Sequence, residues 1–152
     1  MDRGAIAGIE LFAFRSRPSF SRLAPSPGHG YVVLRLSAHG YTGCGECAVP
    51  LNGQALDLIK WGSFLKELRL STPEEAFALL MTGEREWSPC QRQALQSALS
   101  GWVLARSADL LTAVSSGSVR SGASGSKGDR DRPELCALAA LIEESESYYS
   151  IL

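Results

Sequence analysis

Two short boxes constrain this chain more than any other feature. Thr72-Pro73-Glu74-Glu75 and Ser88-Pro89-Cys90-Gln91 each join a capping hydroxyl, a proline at the first helical position and a Glu or Gln three residues on. The hydroxyl can accept from a free N–H of the first turn, and the Glu or Gln can reach back to the cap. Two consecutive helices must therefore open at these boxes. The first buries Ala76, Leu79 and Leu80 and stops at Gly83. The second, expected over about Pro89 to Ser107, buries Leu95, Ala98, Leu99, Trp102 and Val103, with Arg92 and Arg106 outside. Leu58, Trp61, Leu65 and Leu68 precede them at helical spacing, weakened by Gly62.

The first fifty residues have a different period. From Ile6 to Arg15, Ile9, Leu11 and Ala13 alternate with Glu10, Phe12 and Phe14, so both faces of a strand carry apolar groups. Tyr31 to Leu36 and Tyr41 to Ala48 read as two further strands across the turn Ser37-Ala38-His39-Gly40. Between the first two lies a loop, Arg17 to Gly30, broken by Pro18, Pro25, Pro27, Gly28 and Gly30. The fold class is α+β: a three-stranded antiparallel meander followed by a helical bundle, then a flexible tail.

Ten of the fourteen residues from Ser115 to Gly128 are Ser or Gly, the composition of a linker. The organisation expected is a domain over 1–114, a linker over 115–132, and a last segment over 133–152. That segment opens with the apolar run Pro133 to Ile142, a buried strand or a short helix, followed by Glu143, Glu144 and Glu146.

Composition excludes several function classes. Fifteen basic against sixteen acidic residues leave a net charge of −1, which offers no basic field to a nucleic acid. No apolar run reaches the roughly 18–20 residues that span a bilayer, and the first fourteen residues lack the basic region, long apolar run and small-residue cleavage site of a secretion signal, so secretion is not expected. Cys44, Cys47, Cys90 and Cys136 are too few for a disulfide scaffold, so reduced thiols in a cytoplasm are expected.

The candidate motifs argue against most chemistry. Gly43-Cys44-Gly45-Glu46-Cys47-Ala48 mimics a dinucleotide fingerprint, but that motif needs a helix opening at its second glycine, and Pro50 follows instead. Its structural reading is a Gly-rich strand end passing close to another backbone. Cys44 and Cys47 form a C-x-x-C inside a strand pattern, where residues three apart face opposite sides, so neither zinc nor a redox pair is expected of those two. His29 and His39 flank glycines in turns with no nucleophile beside them. Glu46 is the one carboxylate in an apolar strand, a candidate for a buried salt bridge.

The segments GIELFAFRSRPSF and YVVLRLSAHGYTGCGECAVP resemble the N-terminal capping domain of the mandelate racemase and muconate lactonizing enzyme group of the enolase superfamily. Gly40, Gly43, Gly45 and Glu46 match its G-x-x-G-x-G-E strand, and Arg17, Pro18 and Phe20 match its basic Pro-Phe loop. Ala94 to Leu99 resembles the family helix, with Gln96 in place of the usual Glu and Gly101 where Asp is common. The resemblance covers residues 4 to about 114. Pro133 to Ile142 resembles the first strand of the catalytic barrel in succinylbenzoate-synthase-like members.

The resemblance implies a truncated or split enzyme that keeps the cap of a Mg²⁺-dependent isomerase or lyase, one that abstracts a proton next to a carboxylate. The substrate-facing candidates are Arg17, Phe20, His29, Val49, Pro50, Leu51 and Asn52; Gly43, Gly45 and Glu46 are structural. No residue is assigned to catalysis or to metal, and Mg²⁺ is expected only with a barrel domain. The implied partner is a separate barrel polypeptide or a second copy, docking around Phe20, Leu51 and the segment 135–142. The alternatives are a stand-alone interaction module and a decayed remnant.

Overall fold

The computed structural model describes residues 4–25, 27–83, 86–115 and 137–151. Strands β1 (Gly8–Phe14), β2 (His29–Ala38) and β3 (Tyr41–Pro50) form an antiparallel meander. His39 and Gly40 turn β2 into β3 with φ of 54° and 79°, the left-handed pair of a tight two-residue hairpin. Three helices follow: α1 (Leu58–Trp61), α2 (Pro73–Thr82) and α3 (Pro89–Ser115).

Both caps form, and the second as a full box. Thr72 Oγ1 accepts from Glu75 N–H at 3.1 Å, and Gly83 ends α2 at φ 65°. At α3 the exchange is reciprocal: Gln91 N–H donates to Ser88 Oγ at 3.1 Å, and Ser88 N–H donates to Gln91 Oε1 at 2.9 Å. The third helix runs to Ser115, about two turns beyond the expected Ser107. Val103, expected on its buried face, is 40% exposed. The helical spacing at 58–68 yields only one turn of α-helix, continued as a 3₁₀ helix over Gly62–Leu68. Trp61 C=O accepts from Gln91 Nε2 at 2.9 Å, and Gly62 lies so close to Leu11 that any Cβ there would collide with it.

The sheet has four strands, not three. Its order is β3-β2-β1-β4, and β4 (Ser147–Ser150) pairs with Glu10–Ala13 of β1. Ahead of it, α4 (Leu138–Glu144) is the short helix, one of the two readings of the run Pro133 to Ile142, whose first four residues lie outside the described residues. Leu141 explains the helix: it is fully buried among Phe12, Phe14 and Phe20, while Ile142 stays exposed. The linker expected over 115–132 lies, from residue 116 on, outside the described residues.

Each sheet face has its own core. Ile9, Leu11 and Ala13 join Val32, Leu34 and Leu36 beneath Leu95, Leu99 and Trp102 of α3. The opposite face carries Phe12, Phe14, Phe20, Tyr31 and Val33. Helix α3 sits directly on β3 because Gly43 and Gly45 present no side chain to it. A Cβ at Gly43 would overlap the Ala98 carbonyl and Trp102 N–H, and one at Gly45 the Ala94 carbonyl. Residues 43–48 thus lie within one strand, and no helix opens at Gly45.

Cys44 and Cys47 face opposite sides of the sheet, as their spacing requires. The expectation of reduced thiols is corrected: among the described residues no cysteine is free, Cys44 included, and Cys47 is joined to Cys90 by a disulfide with their Cα atoms 5.6 Å apart, while Cys136 lies outside the described residues. The close seating of α3 on β3 brings the two sulfurs together. Among the described residues, no helix is long and apolar enough to cross a membrane.

Candidate functional site

The loops leaving β1 and β3 meet at one end of the sheet. Leu51 N–H donates to Gly28 C=O at 3.1 Å, continuing the His29–Pro50 pairing past the last rung. Asn52 and Gly53, at φ 51° and 77°, then reverse the chain, and Gln54 N–H closes the turn on Leu51 C=O at 2.9 Å. Asp57 ends this loop by capping α1 through Oδ1, which accepts from Ile59 N–H and Lys60 N–H.

Two adjoining hollows result. The first, about 350 Å³, has Phe14, Leu51 and Leu56 as its apolar walls and Arg15, Gln54 and Glu146 as polar ones. Arg15 and Glu146 are ion-paired at 2.7 Å, both largely in solvent. The second, about 390 Å³, lies on the other side of Leu51, with Val49, Pro50, Asn52, Lys60 and Gln91 around it. Of the seven substrate-facing candidates, the structure brings Val49, Pro50, Leu51 and Asn52 to these hollows.

The other three are engaged elsewhere. Arg17 folds its own loop, donating from Nε to Leu23 C=O at 2.7 Å and from Nη2 to Ser21 C=O at 2.9 Å. Phe20 is 6% exposed and packs edge-on against Phe14, their ring centres 5.6 Å apart. It is a core residue and not part of an open docking face, and Leu51 is only half exposed. His29 Nδ1 lies 3.0 Å from Pro27 C=O and does not line either hollow.

Glu46 shapes the loop from below. It is 6% exposed, and among the described residues its partners are hydrogen-bond donors, in place of the salt bridge expected. Ser21 Oγ donates to Oε2 at 2.7 Å and Arg22 N–H to Oε1 at 2.6 Å. A carboxylate accepting two such bonds is satisfied without a counter-charge. Replacing Glu46 with Ala should cost about 3 kcal/mol, since hydrogen bonds to charged groups contribute about 1.5–3 kcal/mol each. Denaturant unfolding checks the magnitude, and faster amide exchange at Arg22 checks the location.

Arg15, Gln54, Leu56 and Glu146 were missed at the sequence level. Glu146 belongs to the acidic run noted after Ile142, but only the pairing of β4 with β1 brings it to Arg15. The same run supplies Glu144, whose carboxylate accepts from Ser19 Oγ at 2.8 Å and ties α4 to the loop after β1.

Among the described residues, the walls of the two hollows carry no nucleophile beside a base, and no three His, Cys, Asp or Glu gather where a metal could bind. The groups with displaced titration lie elsewhere. Tyr148 donates to Glu10 Oε2 at 2.9 Å, and Tyr41 to Asp109 Oδ2 at 2.6 Å. Each bond to a carboxylate raises the phenol above its ordinary range. Comparison of the chain with protein-family models, curated proteins and solved structures finds no match.

Proposed function

We propose that this chain is the substrate-capping part of a split or truncated enolase-superfamily enzyme, working in the cytoplasm and covering a carboxylate substrate held by a Mg²⁺-binding barrel on another polypeptide. The observation that carries the reading is the meeting of the loops at Gly28 and Leu51. They come from the two segments that the resemblance assigns to the substrate, and they share hollows of about 350 and 390 Å³. A meander with α3 on β3 through Gly43 and Gly45 agrees with that reading. The chain's own part is to exclude water and select the substrate's shape, with Leu51 as the apolar contact and Gln54 as the polar one.

The test is co-expression with any barrel polypeptide encoded beside this chain, followed by deuterium exchange α to a carboxylate in the presence of Mg²⁺. The expected result is exchange by the complex, none by this chain alone, and a raised KM in Leu51→Asp. Exchange by the isolated chain, a complex indifferent to Leu51→Asp, or the absence of any encoded barrel would each overturn the reading.

One observation favours a second reading, a stand-alone interaction module. Leu104, Leu110 and Leu111 are 70%, 55% and 70% exposed along the far half of α3.

A further inference from the structure

Cys47 and Cys90 border the same apolar core but differ in burial and in position on their elements. Cys47 is 2% exposed and belongs to the apolar core beneath α3. Cys90 is half-buried and is the second residue of α3, behind the capping box of Ser88 and Gln91. The N–H groups of a first helical turn have no intrahelical acceptor, and the positive end of the helix favours an anion beside them. A thiol there is drawn toward the thiolate, whereas apolar burial keeps a thiol protonated. An accessible thiolate next to a second thiol is the arrangement of redox-sensing cysteines.

We propose that Cys47 and Cys90 form a reversible dithiol–disulfide pair, with Cys90 the peroxide-reactive thiol and Cys47 the resolving one. In the reduced pair, the Cys90 thiolate attacks a peroxide oxygen. A sulfur–oxygen bond forms, the oxygen–oxygen bond breaks, and the leaving hydroxide or alkoxide takes a proton from water. Sulfur is oxidised to the sulfenic acid and the peroxide is reduced. Cys47 then gives up its proton and attacks the Cys90 sulfur, forming the disulfide and releasing water.

A dithiol resets the pair. Its first thiolate attacks the sulfur of Cys90, the less buried residue of the two, and expels Cys47, which takes up a proton. Its second thiol displaces the mixed disulfide, frees Cys90 and leaves the reagent oxidised. In a reducing compartment, disulfides that do form are usually transient and redox-sensing.

The pair is placed to affect the hollows. Cys47 lies two residues before Val49, and Gln91, next to Cys90, lines the second hollow and holds Trp61 C=O at 2.9 Å. Oxidation therefore ties the base of the 49–57 loop to the first turn of α3. The inference stands on the pair's own geometry and does not depend on the capping role.

The experiment uses the full chain, reduced with dithiothreitol, freed of reductant without air, and pulsed with iodoacetamide or hydrogen peroxide. Each cysteine is then quantified peptide by peptide. Iodoacetamide should label Cys90 at least ten-fold faster than Cys47. Stoichiometric peroxide should restore the Cys47–Cys90 disulfide, and Cys47→Ser should trap a dimedone adduct on Cys90. Labelling at equal rates, labelling of Cys47 first, or peroxide consumption no faster than that of free cysteine would overturn the assignment. The labelling comparison needs no variant, so it decides the question even if Cys47→Ser fails to fold.

Discussion

Replacing Gly45 with Val is expected to detach α3 from the sheet and leave the chain largely unfolded. The new side chain would enter the space held by the Ala94 carbonyl, which belongs to backbone and cannot rotate away. Overpacking of this kind costs about 1–3 kcal/mol when neighbours can adjust, and more when they cannot. Here the only adjustment is to lift α3, which would uncover Leu95, Leu99 and Trp102 and break the Trp102 Nε1–H bond to Ala38 C=O at 2.8 Å. A domain this size is stable by only about 5–15 kcal/mol, so the loss is a large share of the total. Gly45→Ala should already lower stability by about 3 kcal/mol, with Val worse. Gly53→Ala is the control: a Cβ there meets nothing within 4 Å, and only its left-handed φ of 77° opposes the change. Its cost should stay near 1–2 kcal/mol. Equal midpoints for Gly45→Ala and Gly53→Ala in denaturant would show that α3 does not rest on the backbone of β3.

The second large effect concerns the covalent tie between the same two elements. Removing the Cys47–Cys90 bond in the double variant Cys47→Ala, Cys90→Ala should cost about 4 kcal/mol. The bond closes a loop of 43 residues, and its loss returns that loop's freedom to the unfolded chain. Denaturant unfolding in the absence of reductant would also show a steeper dependence on denaturant, because the freed unfolded chain exposes more surface. A variant unfolding at the wild-type midpoint would mean that the unfolded chain is no looser without the bond. This measurement concerns stability alone and is separate from the reactivity of Cys90.

Much of the fold is legible where the signals are local. The alternation in β1 assigns Ile9 and Leu11 to one face and Phe12 and Phe14 to the other, and the two cores divide them in that way. The box at Ser88 marks the start of α3 because a cap is a contact between residues three apart. Legibility fails where the deciding partner is distant. Ser147 to Ser150 has only two apolar residues and no alternation, and it becomes a strand because β1 has an open edge. Phe20, in a loop of prolines and serines, looks free until Phe14 and Leu141 close over it. The C-x-x-C drew attention to Cys44 beside Cys47, while the bond of Cys47 reaches 43 residues along the chain to Cys90. The same holds at the hollows. Val49 to Asn52 could be named from the strand end that they follow, but Arg15 and Glu146 only from the fold.

The placement of β4 also bears on how the chain is made. Its partner positions on β1, such as Glu10 for Ser150, lie 140 residues earlier. At about 5–20 residues per second, a ribosome adds that stretch in roughly 7–28 s. For most of that interval, once Ala38 has been added, the segment Gly8–Phe14 can pair with β2 on one side, while its other edge offers bare N–H and C=O groups beside Leu11 and Phe12. An open apolar edge is a template for strands of other chains. The nascent protein is therefore most vulnerable to aggregation before Ser147 emerges, and slower translation lengthens the exposure instead of relieving it.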